Sequence, residues 1–131
     1  MALWILLVLG LFVVQTLLGP GSRYMLKGDI AGAMGPRDNP PEVSKTGQRL
    51  QRALGNMVEA IIIFLPIALL CVHYGAESGH AILGAQIFFF ARLVYVPVYA
   101  SGVPVLRTIV WAIGHAGIIA MLIGLWPQLN L

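Results

Sequence analysis

The sequence is poor in cysteine, in charge and in clustered metal ligands. Its single cysteine, Cys71, excludes an intramolecular disulfide. His73 and His80 flank a short turn, and the sequence offers no third metal ligand beside them, so we expect no metal site. Charged residues make up only 10% of the 131 residues, hydrophobic ones make up 59%, and the mean hydropathy is +0.87. This composition excludes an ordinary soluble domain and predicts an integral membrane protein.

Four apolar stretches predict four membrane-spanning helices, at about 2–19, 46–75, 79–101 and 104–126. Each contains the ~20 apolar residues that a spanning helix needs. We therefore expect residues 1–131 to form a single all-α domain, a four-transmembrane-helix bundle, with a cytoplasmic loop at about 20–45. The first stretch lacks the positive flank and the cleavage site of a signal peptide, so we interpret it as a helix of the bundle.

Positive charge is absent from the second connection and concentrated in the first. The first connection and the start of the second span contain most of the basic residues, namely Arg23, Lys27, Arg37, Lys45, Arg49 and Arg52. By the positive-inside rule, the first and third connections face the cytoplasm and both termini face the opposite side. The expected location is a bacterial inner membrane. Basic loops attract anionic lipid headgroups, so we expect membrane lipid, and no nucleic acid, as a partner.

Two polar stripes lie at helical spacing within the spans. The stripe of the second helix, at i, i+3, i+7 and i+10, comprises Arg49, Arg52, Asn56 and Glu59. The stripe of the third helix, at i, i+3 and i+7, comprises Arg92, Tyr95 and Tyr99. Arg107 opens the fourth helix, so the topology places all these residues in one leaflet. Because a charge at the bilayer centre costs at least ~2.5 kcal/mol, we infer a polar, cation-rich pocket open toward the cytoplasm.

The predicted pocket holds more cations than anions. Glu59 could pair with Arg52 or Arg92 as a structural ion pair, and Arg49 and Arg107 could extend to lipid headgroups. Those contacts would leave an excess of positive charge, with hydroxyl and amide groups still in need of partners. A small peptide with two carboxylates and an amine would satisfy the whole set, since arginines bind carboxylates and Glu59 binds the amine.

The order of these residues resembles a known family. The segment RALGNMVE contains Arg52, Asn56 and Glu59, and the segment ARLVYVPVY contains Arg92, Tyr95 and Tyr99. Pro104 and Arg107 follow. This arrangement resembles the MAPEG family, the membrane-associated proteins in eicosanoid and glutathione metabolism, over nearly the whole chain.

The resemblance implies a homotrimer of four-helix subunits that binds glutathione, as a co-substrate, at subunit interfaces near the cytoplasmic leaflet. The glutathione-binding candidates that it implies are Arg52, Asn56, Glu59, Arg92, Tyr95 and Tyr99. Arg23 resembles an arginine that reaches the ligand from a neighbouring subunit, and Arg49 is a further candidate. Arg107 resembles the catalytic arginine that activates the glutathione thiol.

Three classes of function fit the sequence. The first is a glutathione-dependent transferase or peroxidase that detoxifies lipophilic electrophiles, and the second is a non-catalytic lipid-binding relative. The third, a small multidrug exporter, would resemble a design with a glutamate in the middle of the first helix, where this chain has no ionisable residue. A non-catalytic relative would be expected to lose Arg107 or the glutathione ligands. The transferase is therefore favoured, although no pattern identifies its second substrate.

Overall fold

The computed structural model describes residues 1–25, 34–35 and 42–129, with the backbone alone at 20–25. Within these ranges the chain forms four α-helices and no strand. The helices are α1 (Ala2–Met25), α2 (Lys45–His73), α3 (Gly79–Ser101) and α4 (Pro104–Leu125), and a 3-10 turn (Trp126–Gln128) follows α4. All four are long and apolar enough to cross a membrane. The expected all-α, multi-pass membrane fold is confirmed.

The first helix is longer than the sequence predicts. We expected a loop from residue 20, but α1 continues through the Gly-Pro-Gly segment at 19–21 to Met25. Gly19 is buried against α2, and a β-carbon added there would lie 3.5 Å from Leu54 Cδ2. Glycine and proline disfavour a helix interior by ~1–3 kcal/mol each, so the contact with α2, rather than local propensity, accounts for the continued helix. The remainder of the predicted loop lies outside the described residues, apart from 34–35 and 42–44.

The closest helix pair is α3 with α4. A β-carbon added at Gly84 would lie 2.7 Å from the backbone nitrogen of Met121, and one added at Gly117 would lie 2.8 Å from the backbone nitrogen of Phe88. Neither position has space for a side chain, so the two backbones pack directly against each other. This contact holds the first part of α3 against the second half of α4, while the short connection at 102–103 keeps the end of α3 beside the start of α4.

The core is apolar, and most large aliphatic side chains elsewhere point outward. Phe64 of α2 stacks on Phe88 of α3 with ring centroids 4.4 Å apart, and Met57, Cys71 and Met121 are buried around them. Outward-facing leucines and isoleucines suit a bundle whose surroundings are lipid, because lipid tails are as apolar as those side chains. Among the described residues, several polar side chains of α2, α3 and α4 instead line a cleft on one side of the bundle.

Candidate functional site

A cleft of about 500 Å³ opens between α2, α3 and α4. It lies where α3 ends and α4 begins. Its lining residues are Arg52, Gly55, Asn56 and Glu59 of α2, Tyr95 and Tyr99 of α3, and Arg107, Thr108 and Trp111 of α4. The antiparallel helices therefore bring residues of both predicted stripes together with Arg107.

Helical geometry explains how α2 lines the cleft. Arg52, Asn56 and Glu59 recur at i, i+4 and i+7, so they lie on one face of the helix. At a rise of 1.5 Å per residue, Arg52 and Glu59 are about 10 Å apart along the axis. Met57 and Ala60 are buried, so the adjoining face of the same turns packs into the core. One face of α2 thus contributes to the core while the other presents a cation at one end of the cleft and an anion further along.

Glu59 makes no ion pair with an arginine in the described part of the chain. The ion pair found there, within 4.0 Å, joins Glu77 to the amino group of Met1. The Arg52 and Glu59 side chains are both exposed at the cleft, and no hydrogen bond from either to another described residue occurs. The structural ion pair of Glu59 with Arg52 or Arg92, considered above, is therefore not formed among these residues.

The far wall of the cleft combines aromatic rings with the Arg107 guanidinium. Arg107 is half-buried in the first turn of α4, and its guanidinium carbon lies 4.9 Å from the ring centre of Tyr99. The Tyr99 ring in turn packs edge-on against Tyr95, with centroids 5.4 Å apart. The Thr108 hydroxyl donates its proton to the Pro104 carbonyl at 3.1 Å. This packing holds the Arg107 charge over the ring of Tyr99, which in turn packs on Tyr95.

Arg92 lies behind the cleft rather than in it. Only 2% of its surface is exposed, and its Nη1 donates to Asn56 Oδ1 at 2.8 Å. Its guanidinium carbon lies 5.2 Å from the Phe88 ring centre and 5.5 Å from that of Tyr95. On the α4 side Gly114 leaves room for it, because a β-carbon there would lie 3.5 Å from Nε. No described group accepts a hydrogen bond from Nε or Nη2.

Two further predicted residues do not line the cleft. Arg49 donates to the Ala100 carbonyl at 3.1 Å and lies against Gly102, which ends α3 with φ of +80°. A cation at this position interacts favourably with the negative end of the α3 dipole. Arg49 thus stabilises the packing of α2 against the end of α3. Arg23 lies in the last turns of α1, and its side chain is outside the described part of the structure.

Sequence reasoning did not assign Trp111 or Gly55 to the site. Trp111 follows Arg107 by four residues and Gly55 follows Arg52 by three, so helical spacing alone would have found both. Trp111 is 40% exposed and gives the cleft an apolar wall. His115 supports it from the next turn, with Nδ1 2.9 Å from the Trp111 carbonyl and ring centroids 3.9 Å apart.

Comparison with known proteins identifies the family. No curated protein and no solved structure gives a significant match to this chain. The family model described as "MAPEG family" matches residues 1–126, a range that includes all four helices and every residue of the cleft. The resemblance that the segments RALGNMVE and ARLVYVPVY indicated is confirmed, and the chain belongs to the MAPEG family.

Proposed function

We propose that this protein is a glutathione-dependent membrane transferase or peroxidase that acts on lipophilic electrophiles. The MAPEG family includes glutathione transferases and related enzymes, and also some non-catalytic members. The observation that carries the proposal is the cleft itself, where the described lining residues include two arginines, Arg52 and Arg107, but only one carboxylate, Glu59, with which no described arginine is paired. Such a site favours a ligand with more negative than positive charge.

Glutathione matches this distribution of charges. It is a tripeptide with two carboxylates, an amine and a thiol, and three extended residues span about 10 Å. Arg52 and Glu59 are separated by a similar length along α2. In the proposed complex Arg52 binds a carboxylate, Glu59 binds the amine, and Asn56, Tyr95 and Tyr99 supply hydrogen bonds. Arg107 then stabilises the thiol in its ionised, nucleophilic form.

The proposed active form is a homotrimer with its sites between subunits. Arg52 and Glu59 are exposed at the open side of the cleft in one subunit. A charge left in lipid costs at least ~2.5 kcal/mol, so a neighbouring copy that covers this side removes an unfavourable exposure. The number three comes from the family resemblance. The positive-inside rule supports a cleft near the cytoplasmic leaflet, with both termini on the opposite side, and we propose a bacterial inner membrane as the location.

A non-catalytic lipid-binding protein is the second candidate. The observation that favours it is an apolar groove of about 490 Å³ on α3 and α4, lined by residues that include Leu83, Ile87, Phe90 and Val94. Lipid binding in that groove would give no reason for two arginines and a carboxylate in the cleft on another face. The transferase accounts for both features, since a lipophilic electrophile can arrive from the membrane.

Titration calorimetry with glutathione tests the proposal on the purified protein in lipid nanodiscs. We expect the wild type to bind and Glu59→Gln to lose at least about tenfold in affinity, because a charged hydrogen bond to the ligand amine is removed. Glu42→Gln is the matched control, since Glu42 is exposed ahead of α2 and does not line the cleft. Absence of binding in the wild type, or equal losses in both variants, would refute the assignment.

A further inference from the structure

We infer that Arg92 is a positioning residue that fixes the side-chain amide of Asn56, so that its NH2 group faces the cleft as a hydrogen-bond donor. The basis is the contact of 2.8 Å between Arg92 Nη1 and Asn56 Oδ1, at a side chain that lines the cleft. The identity of the ligand rests on the proposed function, whereas the orientation of the amide does not.

The direction of this hydrogen bond follows from the chemistry of the two groups. A guanidinium has five donors and no acceptor, so the Asn56 atom that faces it must be the carbonyl oxygen. The amide nitrogen then lies on the other side of the carboxamide. No described residue accepts from that nitrogen, and Asn56 is partly exposed at the cleft. Asn56 therefore offers a donor, and its ligand partner must be an acceptor such as a carboxylate or a peptide carbonyl.

Burial explains why the orientation is fixed. The Arg92 guanidinium is held between the rings of Phe88 and Tyr95 and faces α4 at Gly114. With 2% exposure it cannot reach a ligand in the cleft itself. A buried cation is costly without an acceptor, so rotation of the Asn56 amide, which would turn NH2 groups toward Arg92, is strongly disfavoured. Arg92 thus acts on the ligand through Asn56.

Thermal unfolding of the ligand-free protein tests the orientation without reference to any ligand. Asn56→Asp keeps an acceptor for Arg92 and adds a negative charge, whereas Asn56→Leu has a similar volume and no acceptor. We expect the midpoint of Asn56→Asp to equal or exceed that of the wild type, and that of Asn56→Leu to fall by several degrees. Equal falls in both variants, or no fall in Asn56→Leu, would overturn the inference.

A double-mutant cycle, measured by calorimetry with glutathione, tests how the effect reaches the ligand. With Asn56 present, Arg92→Met should weaken binding about tenfold, because the Asn56 donor is no longer held in place. In the Asn56→Ala background the same substitution should weaken binding less than about twofold. A merely structural or long-range electrostatic role would give the same loss in both backgrounds and would overturn the inference, as would no loss in the wild type. A wild type that binds no glutathione would instead refute the proposed function, and the unfolding comparison would still decide the orientation.

Discussion

The role proposed for Arg107 can be tested by removal of its charge with the rest of the cleft left intact. Arg107 makes no ion pair with a carboxylate in the described ranges, and its guanidinium carbon packs 4.9 Å from the ring centre of Tyr99. Arg107→Ala should therefore disturb the fold little. Arg107→Lys is the matched control, because it keeps a positive charge on a flexible side chain but loses the planar guanidinium.

The expected magnitude follows from the ionisation of the bound thiol. A free thiol has a pKa of about 8.5, so about 3% of it is thiolate at pH 7. A neighbouring cation lowers such a pKa by about 1–3. Arg107 is half-buried, so solvent screens part of its charge and the lower half of that range applies. A pKa lowered by about 1.5 would make roughly half of the bound glutathione thiolate at pH 7.

Ultraviolet absorbance of the thiolate measures this directly. Glutathione is mixed with wild type and variants near pH 7, at concentrations that saturate each protein by calorimetry, and turnover of chlorodinitrobenzene is followed in parallel. We expect Arg107→Ala to lose most of the thiolate signal and at least about tenfold in turnover with glutathione still bound, and Arg107→Lys to keep part of both. Unchanged thiolate formation in Arg107→Ala would refute the reasoning and transfer the role to Tyr95, Tyr99 or Arg52.

Three further predictions concern binding, assembly and packing. Arg52→Ala should lower glutathione affinity at least about tenfold while the unfolding midpoint stays within about 2 °C of wild type, since Arg52 has no described ion-pair partner; unfolding without selective loss of binding would contradict this. Native mass spectrometry in detergent should detect trimers, and a population of monomers and dimers alone would reject the proposed assembly. Gly84→Ala should destabilise the bundle by about 1–3 kcal/mol, because its β-carbon would collide with Met121. Gly10→Ala is the control, since Gly10 has open space around it. Equal unfolding midpoints for the two variants would show that α3 and α4 can separate freely.

Hydropathy and helical spacing were enough to predict the four spans and which polar side chains share a helix face. The predicted starts of α3 and α4, at 79 and 104, are those of the structure, because a glycine-rich turn and a proline at the first helical position mark them clearly. The i, i+4, i+7 spacing of Arg52, Asn56 and Glu59 places all three on one face of α2, whichever helices pack against it. Local signals of this kind do not depend on tertiary packing.

The end of α1 and the place of Arg92 depend on neighbouring helices and could not be predicted in the same way. The Gly-Pro-Gly segment at 19–21 is a strong local signal for a helix end, yet packing of Gly19 on α2 overrides it. Arg92 shares its helix face with Tyr95 and Tyr99, but only the two tyrosines line the cleft. Whether Arg92 is covered depends on how α4 packs at Gly114, and a stripe on one helix contains no information about that.

The burial of Arg92 also bears on the choice between the two candidate functions. Arg92 orients the Asn56 amide so that a hydrogen-bond donor faces the cleft, where Arg52 and Arg107 outnumber Glu59, the one carboxylate among the described lining residues. Such a lining favours a ligand that accepts hydrogen bonds and carries negative charge. A binder of neutral lipid gains nothing from such an excess of positive charge and incurs the cost of burying it. An anionic, peptide-like ligand would pair with Arg52 and Arg107 and accept a hydrogen bond from Asn56, so these residues favour the glutathione proposal over a binder of neutral lipid.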